Sequence, residues 1–175
     1  MTITAHIRYI IAIISVIAQG RVMRVQTWHY LFPPLPPVAM LIAVAIGLLL
    51  SHFFPFSLVL GAPVWAALPL GLAVGLLAAA KWAFHRHHTT LDPLQMPSAL
   101  VTTGIYRYTR NPMYLALVLI IAAAGLYFNA LWCWGMIPAF MAYLSATFIP
   151  AEEARLSRQW PDDFDAYAAR VRRWL

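Results

Sequence analysis

The charges in this 175-residue chain are confined to a few short stretches. That distribution limits what the chain can fold into more than any motif does. No Asp, Glu, Lys or Arg occurs from Val25 to Ala80, or from Asn111 to Ala151. A bilayer core of about 30 Å takes about 20 apolar helical residues, so each gap holds about two crossings. The chain is 62% hydrophobic and 10% charged, with a mean hydropathy of +0.72. Water-soluble domains carry about 25% charged residues, and disordered chains need low hydrophobicity, so both classes are excluded. The expected fold class is all-α: a polytopic membrane helical bundle of about four transmembrane helices, followed by short cytoplasmic C-terminal helices.

The formal net charge of +6 does not read as a nucleic-acid footprint. From residue 151 onward, the acids and arginines cancel. The excess comes from Arg8, Arg21, Arg24, Lys81, Arg86, Arg107 and Arg110, set against Asp92. These residues flank spans and form no groove-tracking stripe, so no nucleic-acid partner is expected. Four crossings put the 81–111 loop and the tail on one side, which the positive-inside rule makes cytoplasmic. Polar chemistry is therefore expected at that face, between loop and tail. The lone Cys133 rules out an intramolecular disulfide.

Residues 9–18 are apolar but too short to span and are bracketed by Arg8, Arg21 and Arg24. They read as an interfacial helix or leader, which sets residues 1–30 apart from a membrane domain at 31–175. Pro33, Pro34, Pro36 and Pro37 predict a stiff lead-in over 31–38. Spans follow at about 38–53, 64–84, 112–128 and 130–149. Pro112 suits a helix's first turn, Asn129 offers a turn, and Pro138 predicts a kink. Gly71 and Gly75 stand at GxxxG spacing. This fits either close helix approach or the general frequency of glycine in membrane helices. The tail predicts two short helices, 152–159 and 163–174. In the second, Phe164, Tyr167, Val171 and Trp174 form one apolar face.

Two clusters carry the polar chemistry. Residues 104–114 supply Gly104, the guanidinium groups of Arg107 and Arg110, the Asn111 amide, the phenols of Tyr106, Tyr108 and Tyr114, and a helix start at Pro112. Arginine beside a helix start favours an anion such as a carboxylate, and phenol faces favour a cation or planar base. An interfacial Arg/Tyr belt would have the same composition. Glu152 and Glu153 lie at the membrane boundary, where adjacent carboxylates need a cationic offset. Arg155 or Arg158, one turn on, could supply it; so could a positively charged ligand. His85, His87 and His88 have neither Cys nor carboxylate at ligand spacing, and no metal site is expected.

Together these clusters resemble the isoprenylcysteine carboxyl methyltransferase and phospholipid methyltransferase superfamily, in particular its small bacterial members. The resemblance runs over about 86–175. It includes Thr89-Thr90 with Pro93, Ala99 to Gly104, Ile105-Tyr106-Arg107, Arg110-Asn111-Pro112-Met113-Tyr114, Glu152-Glu153 with Leu156, and the closing Tyr167 to Trp174. It implies an S-adenosylmethionine-dependent methyltransferase in a cell (bacterial inner) membrane, its cofactor site built from 86–114 and 150–175 and facing the cytoplasm. Carried over, the cofactor-binding candidates are Gly104, Tyr106, Asn111, Pro112, Tyr114, Glu152, Glu153 and Arg172. Arg110, Glu153 and Arg173 are the catalytic candidates. Trp160-Pro161, Ala154 and Asn111 depart from the usual family pattern, and Asn111 weakens a transfer of prenyl-cysteine specificity. The implied partners are the bilayer and a hydrophobic or lipid-like methyl acceptor, whether carboxylate, thiol, amine or phospholipid headgroup. Two alternatives remain at this level. One is an NADPH-dependent membrane sterol- or enone-type reductase, against which Asn111-Pro112-Met113 argues. The other is a non-enzymatic scaffold or small transporter, for which charges inside the spans would be expected.

Overall fold

Prolines set where several helices begin, because a helix's first residues have unpaired N–H groups and proline has none to lose. A computed structural model of the chain describes residues 35–56, 63–89 and 97–175. The leader expected within 1–30 lies outside them. Helix α1 is Pro36–Phe53, so Pro36 and Pro37 form its first turn instead of belonging to a lead-in. A 3₁₀ turn, Pro63–Ala66, runs into α2, Ala67–Arg86. Helix α3 is Pro112–Tyr127, and it gives way to a turn in which Asn129 takes a left-handed φ of 51°. Then come α4, Leu131–Ala146, α5, Phe148–Gln159, and α6, Pro161–Arg170.

Among the described residues, three stretches are long and apolar enough to cross a membrane: Pro36–Phe53, Pro63–Arg86 and Leu131–Gln159. The 16 residues of α3 reach about 24 Å at 1.5 Å per residue, so α3 is the short apolar helix of the set. The described residues contain helices and turns and no strand, which makes this an all-α membrane bundle.

The fourth expected span differs from its reading in sequence. Pro138 lies inside α4 without interrupting it. The interruption comes at Thr147, whose hydroxyl donates to the Tyr143 carbonyl at 2.7 Å. Such back-bonding competes with the helical ladder. Helix α5 therefore starts at Phe148, upstream of the expected residue 152, and Glu152 and Glu153 fall in its second turn.

Helix α3 is the centre of the packing, in contact with α1, α2, α4 and the Pro63–Ala66 turn, while α1 also packs against α4. Val118 and Ile121 of α3 meet Cys133, Phe140 and Leu144 of α4 in the core. Glycines permit this closeness, but not the expected ones. A Cβ on Gly47 would lie 2.8 Å from Cys133 Sγ and 2.9 Å from its Cα. One on Gly125 would lie 2.6 Å from Trp134 Nε1. Gly71 and Gly75 meet nothing within 4 Å, so the GxxxG spacing carries no helix contact among the described residues. Leu41, Leu49, Leu68, Leu72, Val74 and Trp82 point outward from α1 and α2, as lipid-facing surface requires.

The tail is also shorter in helix than its periodicity suggests. Helix α6 stops at Arg170, and Val171 is extended (φ −119°, ψ 129°). Phe164 and Tyr167 are buried as expected. Trp174 instead reaches the Ser145 hydroxyl from the extended segment, its indole N–H donating at 3.2 Å. The described residues belong to one compact unit.

Candidate active site

The site is built where the end of α2, the start of α3 and helix α5 converge. Gly104, at φ 63°, opens a 3₁₀ turn, Gly104–Arg107; this left-handed backbone favours glycine. The turn buries Tyr106 against Ala80, Ala83 and Val101, with the Phe84 ring edge-on at 5.6 Å. The Tyr167 hydroxyl of α6 donates to the Tyr106 carbonyl at 2.8 Å. Burial raises the pKa of both phenols, that of Tyr106 with further help from neighbouring Tyr167 and Glu152. Tyr167 is pushed up to about 12, with Arg110 working the other way. Both are neutral hydroxyls at physiological pH.

The segment between turn and helix is pinned by the closing strap, residues 171–175. The Arg110 N–H donates to the Arg172 carbonyl at 3.0 Å. The Arg173 carbonyl accepts from the Thr109 hydroxyl at 3.1 Å and from Asn111 Nδ2 at 2.9 Å. Thr109 and Asn111 are buried, and these bonds satisfy the Thr109 hydroxyl and the Asn111 Nδ2 donor, as burial demands.

The adjacent glutamates have different partners. Glu153 accepts from Arg110 NH1 at 2.9 Å. It also accepts from Arg173 through Nε, at 3.1 and 3.2 Å, and NH2, at 2.6 Å. Two-nitrogen pairing of this kind is the strong form of an arginine–carboxylate contact. Glu152 Oε1 accepts the Tyr114 hydroxyl at 2.6 Å. The offset for Glu153 thus comes from distant arginines. Arg158 instead donates Nε to the Ala154 carbonyl at 2.9 Å, while the charge of Arg155 bears on Glu152. Arg110 Nε is buried with no hydrogen-bond partner.

These groups enclose a cavity of about 550 Å³, within the roughly 300–1,000 Å³ common for small-molecule sites. Tyr106, Arg110, Asn111, Pro112, Tyr114, Glu152 and Glu153 all line it. The two clusters read from the sequence therefore share one cavity. Leu77, Phe84, Leu117 and Leu156 give it an apolar side, and Pro36 and Pro37 of α1 also reach it. Gly104, Arg172 and Arg173 do not line it. Gly104 shapes the turn behind it, Arg172 offers a backbone carbonyl, and Arg173 pairs with Glu153.

Sequence reasoning missed several contributors. Arg155, Gln159, Phe164 and Tyr167 line the cavity. The Gln159 side chain also donates to the Pro97 carbonyl at 2.9 Å. Arg155, Leu156 and Gln159 share α5 with Glu152, and helical spacing from that residue was the available signal. Thr109 gave no signal, because its partner lies 64 residues away. Of the histidines, His87 Nε2 shares a 2.8 Å hydrogen bond with Thr103 Oγ1.

A carboxylate, guanidinium groups, neutral phenols and an apolar wall can together hold a molecule that bears both charges and an aromatic part. No curated protein and no solved structure gives a match to the chain. A family model described as phospholipid methyltransferase matches residues 62–163. That span is more than half of the sequence and takes in both the 104–114 segment and the Glu152-Glu153 pair. The chain therefore belongs to the phospholipid methyltransferase family of membrane methyltransferases.

Proposed function

We infer that the chain transfers a methyl group from S-adenosylmethionine to a hydrophobic or lipid-like acceptor at the cytoplasmic face of a cell membrane. The observation that carries this reading is the single cavity shared by Glu152 and the Tyr106–Tyr114 segment. The donor set suits the cofactor part by part. Glu152 suits its cationic groups, Arg110 and the α3 start suit its carboxylate, and the phenols suit its base or sulfonium. When bound, S-adenosylmethionine supplies an electrophilic methyl on a positively charged sulfur.

The protein's own contribution is positioning in a mostly apolar pocket. Helix α3 and the strap hold Arg110 and Asn111, Tyr114 orients Glu152, and Leu77, Phe84 and Leu117 form an apolar wall. Low polarity strengthens each charge contact made there. It also favours a displacement whose charged reactants become less charged. The same apolar wall suits an acceptor with a hydrocarbon part.

Thermal unfolding of the detergent-purified protein tests the reading. S-adenosylmethionine and S-adenosylhomocysteine should each raise Tm in a concentration-dependent way, and NADPH should not. Stabilisation by NADPH alone would favour the reductase alternative. Methyl-tritiated cofactor added to membranes from overexpressing cells should then label an organic-extractable acceptor.

A further inference from the structure

Three charged side chains form a chain running from the strap to the cavity wall. Arg173 bonds both oxygens of Glu153, and Glu153 bonds Arg110. Arg110 and Glu153 line the cavity, whereas Arg173 does not. Exposure follows the same order, with the Arg110 and Glu153 side chains at 15% and 17% and Arg173 at 43%.

We propose that Arg173 is a positioning residue that acts through Glu153 to fix Arg110 in the cavity wall, ready for an anionic group of the ligand. Two physical points support it. Glu153 shares its single negative charge between two guanidinium groups, so the trio keeps a net positive charge. Without Arg173, Glu153 would pair with Arg110 alone and cancel it. Geometry makes the second point. Arg110 meets Glu153 through NH1, and one contact leaves a guanidinium free to pivot unless its partner is held. The two-nitrogen grip of Arg173 holds that partner. A buried Nε without a partner is costly and is kept in place only where the surroundings fix the side chain.

The identity of the ligand rests on the S-adenosylmethionine reading, but the positioning does not, so the two can be tested apart. In full-length, 15N-arginine-labelled protein in detergent, hydrogen exchange of the Arg110 Nε–H reports whether the side chain is held. Its signal is assigned by its loss in Arg110→Lys. Arg173→Gln should speed this exchange about tenfold or more. Trp174→Phe, which removes the Ser145 bond but leaves the ion chain, should keep it near wild type, and Arg173→Lys should fall between. Unchanged exchange in Arg173→Gln would overturn the proposal. Equal acceleration in Trp174→Phe would do so as well, since Arg173 would then be one strap anchor among several.

Affinity supplies the second arm. Arg173→Gln should weaken S-adenosylmethionine binding about tenfold in the wild-type background and hardly at all in Arg110→Lys, as coupled sites do. Equal losses in both backgrounds would contradict action through Arg110. A wild-type protein that fails to bind S-adenosylmethionine would sink the cofactor reading, and the exchange result would still decide the role of Arg173.

Discussion

Glu152 and Glu153 are neighbours in sequence with different partners. Glu153 is held by two arginines, so its charge is already committed to the protein. Glu152 faces the same cavity and takes a neutral phenol at 2.6 Å, which orients the carboxylate without cancelling its charge. Tyr114→Phe should therefore loosen Glu152. Hydrogen bonds to charged groups are worth about 1.5–3 kcal/mol, and part of that loss should appear as a weaker Kd for S-adenosylmethionine in calorimetry. Glu153→Gln should lower stability and also weaken S-adenosylmethionine binding, because it removes the link between Arg173 and Arg110. It removes the charge that offsets Arg110, and breaking a partly buried pair, discounted for its exposure, costs about 1–3 kcal/mol. A clear drop in Tm in detergent, with or without cofactor, is the expected result.

At the scale of the helices, small residues matter where backbones meet. Gly47 abuts Cys133 across the α1–α4 contact, and any larger side chain there must push α1 away. Gly47→Val should cost about 2 kcal/mol or more, the range of overpacked cores. Gly71→Val, on an outward face with nothing within 4 Å, should leave Tm nearly unchanged. Comparing the two variants by thermal unfolding checks whether the close contact lies at Gly47 or on the GxxxG face.

The same scale shows what the sequence could reveal. Hydrophobic length is a local property, so the charge-free stretches marked the membrane helices, and Pro112 marked the start of α3 almost to the residue. The Thr147 interruption rests on one hydroxyl back-bond that no periodicity betrays. The helical spacing of Phe164, Tyr167, Val171 and Trp174 predicts helix through the strap. Bonds to residues 109–111, more than 60 positions upstream, accompany an extended backbone there instead. The two clusters of the site were legible as residue types. The pairing of Glu153 with Arg110 and Arg173 was not, since nearer arginines at positions 155 and 158 satisfied the local rule equally well.

Across the whole molecule, the described charged residues gather at the end of the bundle that holds the cavity: Lys81 and Arg86 end α2, Arg107 and Arg110 precede α3, and the rest follow Ala151. If that end faces the cytoplasm, Tyr108, which is 70% exposed, provides a handle. A Tyr108→Cys variant should react with a membrane-impermeant maleimide in inverted vesicles and not in intact cells. The native Cys133 is fully buried and should stay silent in both. Labelling in intact cells would reverse the orientation.

One binding experiment bears most directly on the cavity as a cofactor site: calorimetric titration of S-adenosylmethionine into the detergent-purified full-length protein and its Glu152→Gln variant. The expected result is saturable binding to the wild type and a Kd about thirtyfold weaker in the variant, equivalent to about 2 kcal/mol, with the variant still folded. Equal affinity in both proteins, or no binding to the wild type, would contradict it.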